Sequence, residues 1–122
     1  MTPQTASAYA RPAAPFRSAR DTEYEVIARV TQRLAAAIPR REIDHPAFLE
    51  ALFNNERLWS TLASDVAEPG NGLPQALRAR LFYLYRFTVA HSEKLRAGSG
   101  AADVLIDINK AVLRGLRGEA AP

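Results

Sequence analysis

No cysteine occurs among the 122 residues. That removes disulfides, thiolate nucleophiles and every zinc site built on sulfur, and it fits a reducing compartment. Lysine is nearly missing as well: Lys94 and Lys110 stand alone among 16 basic residues, a bias toward arginine that reads as codon usage and not as guanidinium chemistry. The two histidines, His45 and His91, fall in different predicted helices with no acid at partner spacing. His45 is read as a helix-start residue and His91 as a half-buried face residue, not as metal ligands or catalytic groups. No apolar run approaches the roughly 18 residues of a membrane span, and the N-terminus has no secretory-type apolar core. Runs of β-branched residues with period two are absent too, so no strand is expected.

Catalytic constellations are equally scarce. Ser64 and Asp65 are adjacent on a predicted helix and point two ways, unlike a nucleophile and its orienting acid. The "GNG" at 70–72 follows a helix and lacks the Gly-Lys-Ser/Thr ending of a phosphate loop, so it is a turn. Asp103 and Asp107 share a helix face, but a solvated pair near a helix N-terminus accounts for them. The expectation is a protein that is not an enzyme and has no metal, no cofactor and no small-molecule ligand.

What is present is an apolar fraction of 48% with 24% charged residues, ordinary for a globular domain of this length. The net charge of +3 resides in residues 1–20, where Arg11, Arg17 and Arg20 have no acidic neighbour. The rest of the chain holds 13 basic and 13 acidic residues, and a neutral body is a poor match to a phosphate-tracking surface. Residues 1–17 are read as a flexible basic tail, because Pro3, Pro12 and Pro15 interrupt the amphipathic helix that an organellar targeting peptide needs.

Residues 18–118 are read as an all-α domain, a small bundle of about four helices joined by short turns. Ser18 with Asp21 makes a capping-box-like start, followed by a stripe of Tyr24, Ile27, Thr31, Leu34 and Ile38 that ends at Pro39. Ala35, Ala36 and Ala37 are small on all sides and would let another helix approach closely. A second helix opens at Asp44 or His45 with Pro46 in its first turn, and carries Phe48, Leu52, Trp59, Leu62, Ala63 and Val66, with Asn55 breaking the stripe. After the turn "EPGNGLP", Pro74 starts a third helix, expected to be the longest and the central one, with a stripe of Leu77, Leu81, Leu84, Thr88 and Leu95. "GSG" at 98–100 ends it, and a fourth helix presents Leu105, Ile108, Val112 and Leu116, with Ile106 and Leu113 beside them.

Several blocks resemble the FlaF family of small alphaproteobacterial flagellar regulators. "NERLWSTLASDVAEPGNGLPQALRARL" is similar to the family pattern through Asn55, Leu58, Trp59, Asp65, Asn71, Leu73 and Pro74. "LIDINKAVLRGL", with Asp107 and Asn109, resembles its C-terminal ending. Tyr9 and "SARDTE" at 18–23 also fit, although Ala19 stands where the family usually has Pro. The resemblance implies a cytoplasmic protein required for flagellin synthesis or secretion, binding the flagellin subunit as an export chaperone or assembly regulator, with a functional link to the companion regulator FlbT. Its alternative is post-transcriptional control of flagellin messenger RNA, directly or with FlbT, in which the arginines of the tail would supply an electrostatic anchor.

Most of the motif residues read as structural. Trp59 lies on a core stripe, and Asp65 and Asn71 flank a turn whose backbone their side chains can bond. Asp107 and Asn109 stay open between holding the fourth helix in register and contacting a ligand, since Asn is a poor mid-helix residue without a partner. The heptapeptide "LFYLYRF" at 81–87 is apolar around the whole helix. Either the third helix is covered on several sides, or Phe82, Tyr83, Arg86 and Phe87 remain partly exposed as a partner-binding face of the residue types enriched at interface hot spots. Terminal segments of unassembled flagellin that become helical only in the filament would suit such a face by helix-in-groove docking.

Overall fold

Proline and glycine set the element boundaries. The computed structural model describes the backbone of residues 14–116 and side chains within 22–115. Helix α1 spans Ala14–Ala37 and passes into a 3-10 turn at Ile38–Arg40, where Pro39 stops the α-helical hydrogen-bond ladder. Helices α2 (His45–Ala67), α3 (Gln75–Arg96) and α4 (Asp103–Leu116) follow, and the described residues contain no strand. The expected all-α architecture of four helices is therefore the observed one. Ser18 does not cap the first helix, because α1 already runs from Ala14 with Pro15 in its first turn, where a fixed helical φ and a missing N–H are harmless. Residues 1–13 of the expected tail lie outside the described residues, as do residues 117 and 118 of the expected domain.

The caps show how the sequence fixes these ends. Asp44 is the N-cap of α2: its carboxylate accepts from the Ala47 amide at 3.3 Å, with Pro46 in the first turn. Helix α3 ends in a Schellman arrangement. Gly98 takes φ 91°, the Gly98 amide donates to the Leu95 carbonyl at 3.1 Å, and the Ser99 amide donates to the Lys94 carbonyl at 2.9 Å. Lys94 and Arg96 in the last turn of α3 complement its dipole.

Helix α1 packs on α2 and α4, and α2 packs on α1 and α3, so the helices follow the spatial order α4, α1, α2, α3. The central elements are thus α1 and α2, and not α3, which lies at one edge. Nor is α3 the longest: it has 22 residues against 24 in α1 and 23 in α2. Contacts from Arg96 to Glu56 and from Arg78 to the Val66 carbonyl run in opposite chain directions, which makes α2 and α3 an antiparallel hairpin. The main apolar cluster joins Leu34, Ile38, Phe48, Leu52, Leu95 and Leu105. All of these sit where α1 and α3 end and where α2 and α4 begin. At the opposite end Ile27, Ala63 and Val66 are buried, but the side chains of α3 and α4 there stay open: Leu77 is exposed, and Leu81, Leu84, Val112 and Leu113 are only half-buried. The first half of the expected α3 stripe is therefore not core, because among the described residues only α2 packs closely on α3.

Between the two ends lies a polar layer. Asn109, on α4, is 1% exposed and uses its whole amide. Its carbonyl oxygen accepts from the Trp59 indole N–H at 2.9 Å, and its NH2 donates to Asn55 Oδ1 at 2.8 Å and to Thr31 Oγ1 at 3.0 Å. The Thr31 hydroxyl in turn donates to the Ile27 carbonyl at 2.7 Å. One side chain thereby ties α4 to α1 and α2. The break that Asn55 makes in its stripe is one half of this pairing.

Candidate functional site

The buried positions of α3 are Thr88, Ser92 and Leu95, so that apart from Leu95 near its end they are small and polar. Large side chains are pushed elsewhere, and from Gln75 to Phe87 no residue of α3 is fully buried. Phe82 is 42% and Tyr83 66% exposed. Burying an aromatic ring is worth on the order of 2–3 kcal/mol, so a helix that leaves two of them in water has apolar surface available for a partner.

The four residues singled out in the sequence do not form one patch. At 100° per residue Phe82 and Arg86 share one face of α3, while Tyr83 and Phe87 lie on an adjacent face about 100° round the helix. Phe82 and Arg86 line a depression of about 390 Å³ together with Tyr85, Val89 and Ala90, and the Phe82 and Tyr85 rings lie 5.7 Å apart and tilted by 54°. Phe87 instead stacks on His91, with centroids 5.3 Å apart and planes within 12°. His91 Nε2 lies 2.7 Å from the Ala101 carbonyl oxygen and donates to it, which assigns the proton to that nitrogen. Phe87 and His91 thus brace the link from α3 to α4, and Tyr83 stands apart in solvent.

An ion pair joins the last turn of α3 to α2. Arg96 donates to both Glu56 carboxylate oxygens through Nη1 and Nη2 and approaches Glu93 at 3.6 Å. The hydrogen bond to Glu56 raises the Arg96 pKa above its already high ordinary value.

The remaining motif residues sort by position. Asn71 donates through its amide to the Asp65 carbonyl at 2.9 Å and accepts from the Leu73 amide at 3.2 Å, which fixes the turn into α3. Asp65 serves there through its main chain, while the residue is exposed and its carboxylate makes no hydrogen bond among the described residues. Pro74 is the N-cap of α3. Leu73 is 39% exposed and Leu58 half-buried. Asn109 holds α4 in register, whereas Asp107 is exposed. Sequence reasoning missed Phe53, which is 54% exposed with the Arg57 guanidinium 5.9 Å from its ring centroid. Its signal was an aromatic residue one position outside a core stripe.

Among the described residues no group of His, Cys, Asp and Glu is placed to hold a metal ion, and no helix is long and apolar enough to cross a membrane. The surface of α3 carries an apolar depression flanked by the Arg86 guanidinium. Comparison with known proteins gives a match to one family model, Flagellar protein FlaF, over residues 5–116. No curated protein and no solved structure matches the chain. With the match running through all four helices, the chain belongs to the FlaF family of flagellar proteins.

Proposed function

We propose that this protein is a cytoplasmic, non-enzymatic regulator of flagellum biogenesis that binds the flagellin subunit as an export chaperone or assembly regulator. The observation that supports this reading is the stretch of α3 from Gln75 to Phe87, apolar in composition and without one fully buried residue. A groove-and-ridge surface of this kind takes an amphipathic helix, with Phe82 and Val89 as apolar contacts and Arg86 at the edge. A partner segment that orders only on docking loses part of the gained free energy to that ordering, which suits reversible handover.

Isothermal titration with cognate monomeric flagellin at about 0.15 M salt tests the reading. A saturable complex at roughly micromolar Kd is the expected result. Phe82→Ala should weaken it by about 2 kcal/mol, or roughly 30-fold, with helicity unchanged. Absence of heat together with absence of co-elution on a sizing column would overturn it. Weight would then pass to control of flagellin messenger RNA with FlbT, where deleting residues 1–17 should lower both RNA affinity and its salt dependence.

A further inference from the structure

The side of the α1–α2 pair turned away from α4 carries a second surface. Two depressions of about 390 and 340 Å³ share Arg33, Ala51 and Asn54 and so form one continuous groove. Ala36 and Ala37, from the small-residue run of α1, face Ala47 and Ala51 of α2 in its lower half. Val26, Val30 and Leu58 line its upper half. From Val26 to Arg40 the groove follows about 21 Å of helix, or four turns. A floor of Ala and Val lets a third helix approach closely but offers no deep pocket for an aromatic anchor.

Charge decides what fits. Arg33 stands at the middle of the groove, Arg57 in its upper half and Arg40 at its lower end. Neither Arg33 nor Arg40 forms an ion pair among the described residues. The only carboxylates, Asp44 and Glu50, lie in the lower half, and Asp44 is engaged as the α2 cap. The upper half therefore presents two guanidinium groups over an apolar floor with no acid. Phosphate tracking would need cations along the whole path, and Glu50 interrupts them.

We propose that this groove docks an amphipathic helix from a partner protein, with a small aliphatic ridge of Ala, Val and Leu and with Asp or Glu along its flanks. The groove shares no lining residue with the depression on α3. Both surfaces can be occupied together, and the chain then works as an adaptor between two helical segments.

The test uses the full-length, isotope-labelled protein and two synthetic helical peptides of about 18 residues, or five turns, with the same Ala/Val/Leu ridge. One peptide carries Glu flanks and the other Lys flanks. The Glu peptide should bind saturably, with amide shifts centred on Val30, Asn54, Leu58 and Thr61, and the Lys peptide should not. Arg33→Glu combined with Arg57→Glu should weaken the Glu peptide at least about tenfold at unchanged helicity, and Phe82→Ala should leave it alone. Should the charge reversal unfold the protein, Arg33→Gln with Arg57→Gln should still weaken binding. Failure of the Glu peptide to bind, equal binding of both peptides, shifts centred on Phe82 and Tyr85, or displacement by a single-stranded RNA would each overturn the proposal. Flagellin titration of the charge-reversed variant separates this site from the α3 face, since loss of one should leave the other intact.

Discussion

Replacing Asn109 by Ala is the sharpest perturbation that the fold offers. The wild-type side chain is 1% exposed and makes three hydrogen bonds, to Trp59, Asn55 and Thr31. Thr31 keeps its bond to the Ile27 carbonyl in the variant, but the Trp59 indole N–H and the Asn55 carbonyl lose their only partners while staying buried. Each stranded group costs roughly 1–3 kcal/mol, and the lost amide leaves a small cavity besides. The sum is about 4 kcal/mol, a large share of the roughly 5–15 kcal/mol that a domain of this size holds. Urea unfolding followed by far-ultraviolet circular dichroism should show the midpoint falling by about 2 M at an m-value near 2 kcal/mol/M. The mechanism has its own check, since Trp59→Phe removes the stranded N–H in advance. In that background Asn109→Ala should cost about 1–2 kcal/mol less than alone. A loss below about 1 kcal/mol, or strict additivity in the cycle, would refute the hub.

Two further substitutions read other parts of the same frame, each by the same unfolding assay. The Thr88 hydroxyl is fully buried and has no hydrogen-bond partner among the described residues, so Thr88→Val should stabilise the domain by about 1 kcal/mol, and a loss of stability would show that the hydroxyl is used. Gly98 and Gly100 both lie in the left-handed region, at φ 91° and 93°, but a Cβ at Gly98 meets open space while one at Gly100 sits 3.3 Å from His91 Cε1. Gly98→Ala should cost about 1–2 kcal/mol and Gly100→Ala more; equal losses would mean that His91 yields freely.

Much of this architecture was legible in the chain because helical periodicity and Pro/Gly punctuation are local signals. The α2 stripe from Phe48 to Val66, the Asp44 cap and the glycine stop after α3 all depend on residues within a few positions of one another. The misreadings have one cause. A polar residue inside an apolar stripe looks like an interruption, and only the approach of α4 to α2 shows that Asn55 and Asn109 are each other's partners. Likewise the Leu77, Leu81 and Leu84 stripe has core spacing, and spacing says nothing about whether a helix exists to cover it. The division of the heptapeptide into two faces was available from 100° per residue alone. That Phe87 is claimed by His91 was not.

The distribution of packing along the bundle carries the functional consequence. Apolar closure is concentrated at the end where Leu34, Phe48, Leu52, Leu95 and Leu105 meet, and the Asn109 hub locks the middle. The remaining end, with Leu77, Leu81, Leu84 and Phe82 of α3, contributes little to closure. Regions with few buried contacts are the low-stability end from which binding elements are drawn. A partner helix laid across that end would bury half-exposed leucines and phenylalanine without opening the core or breaking the amide network. If the proposed recognition uses α3, it and stability at the opposite pole vary independently, and variants at Phe82 or Arg86 should change flagellin affinity with little change in the unfolding midpoint.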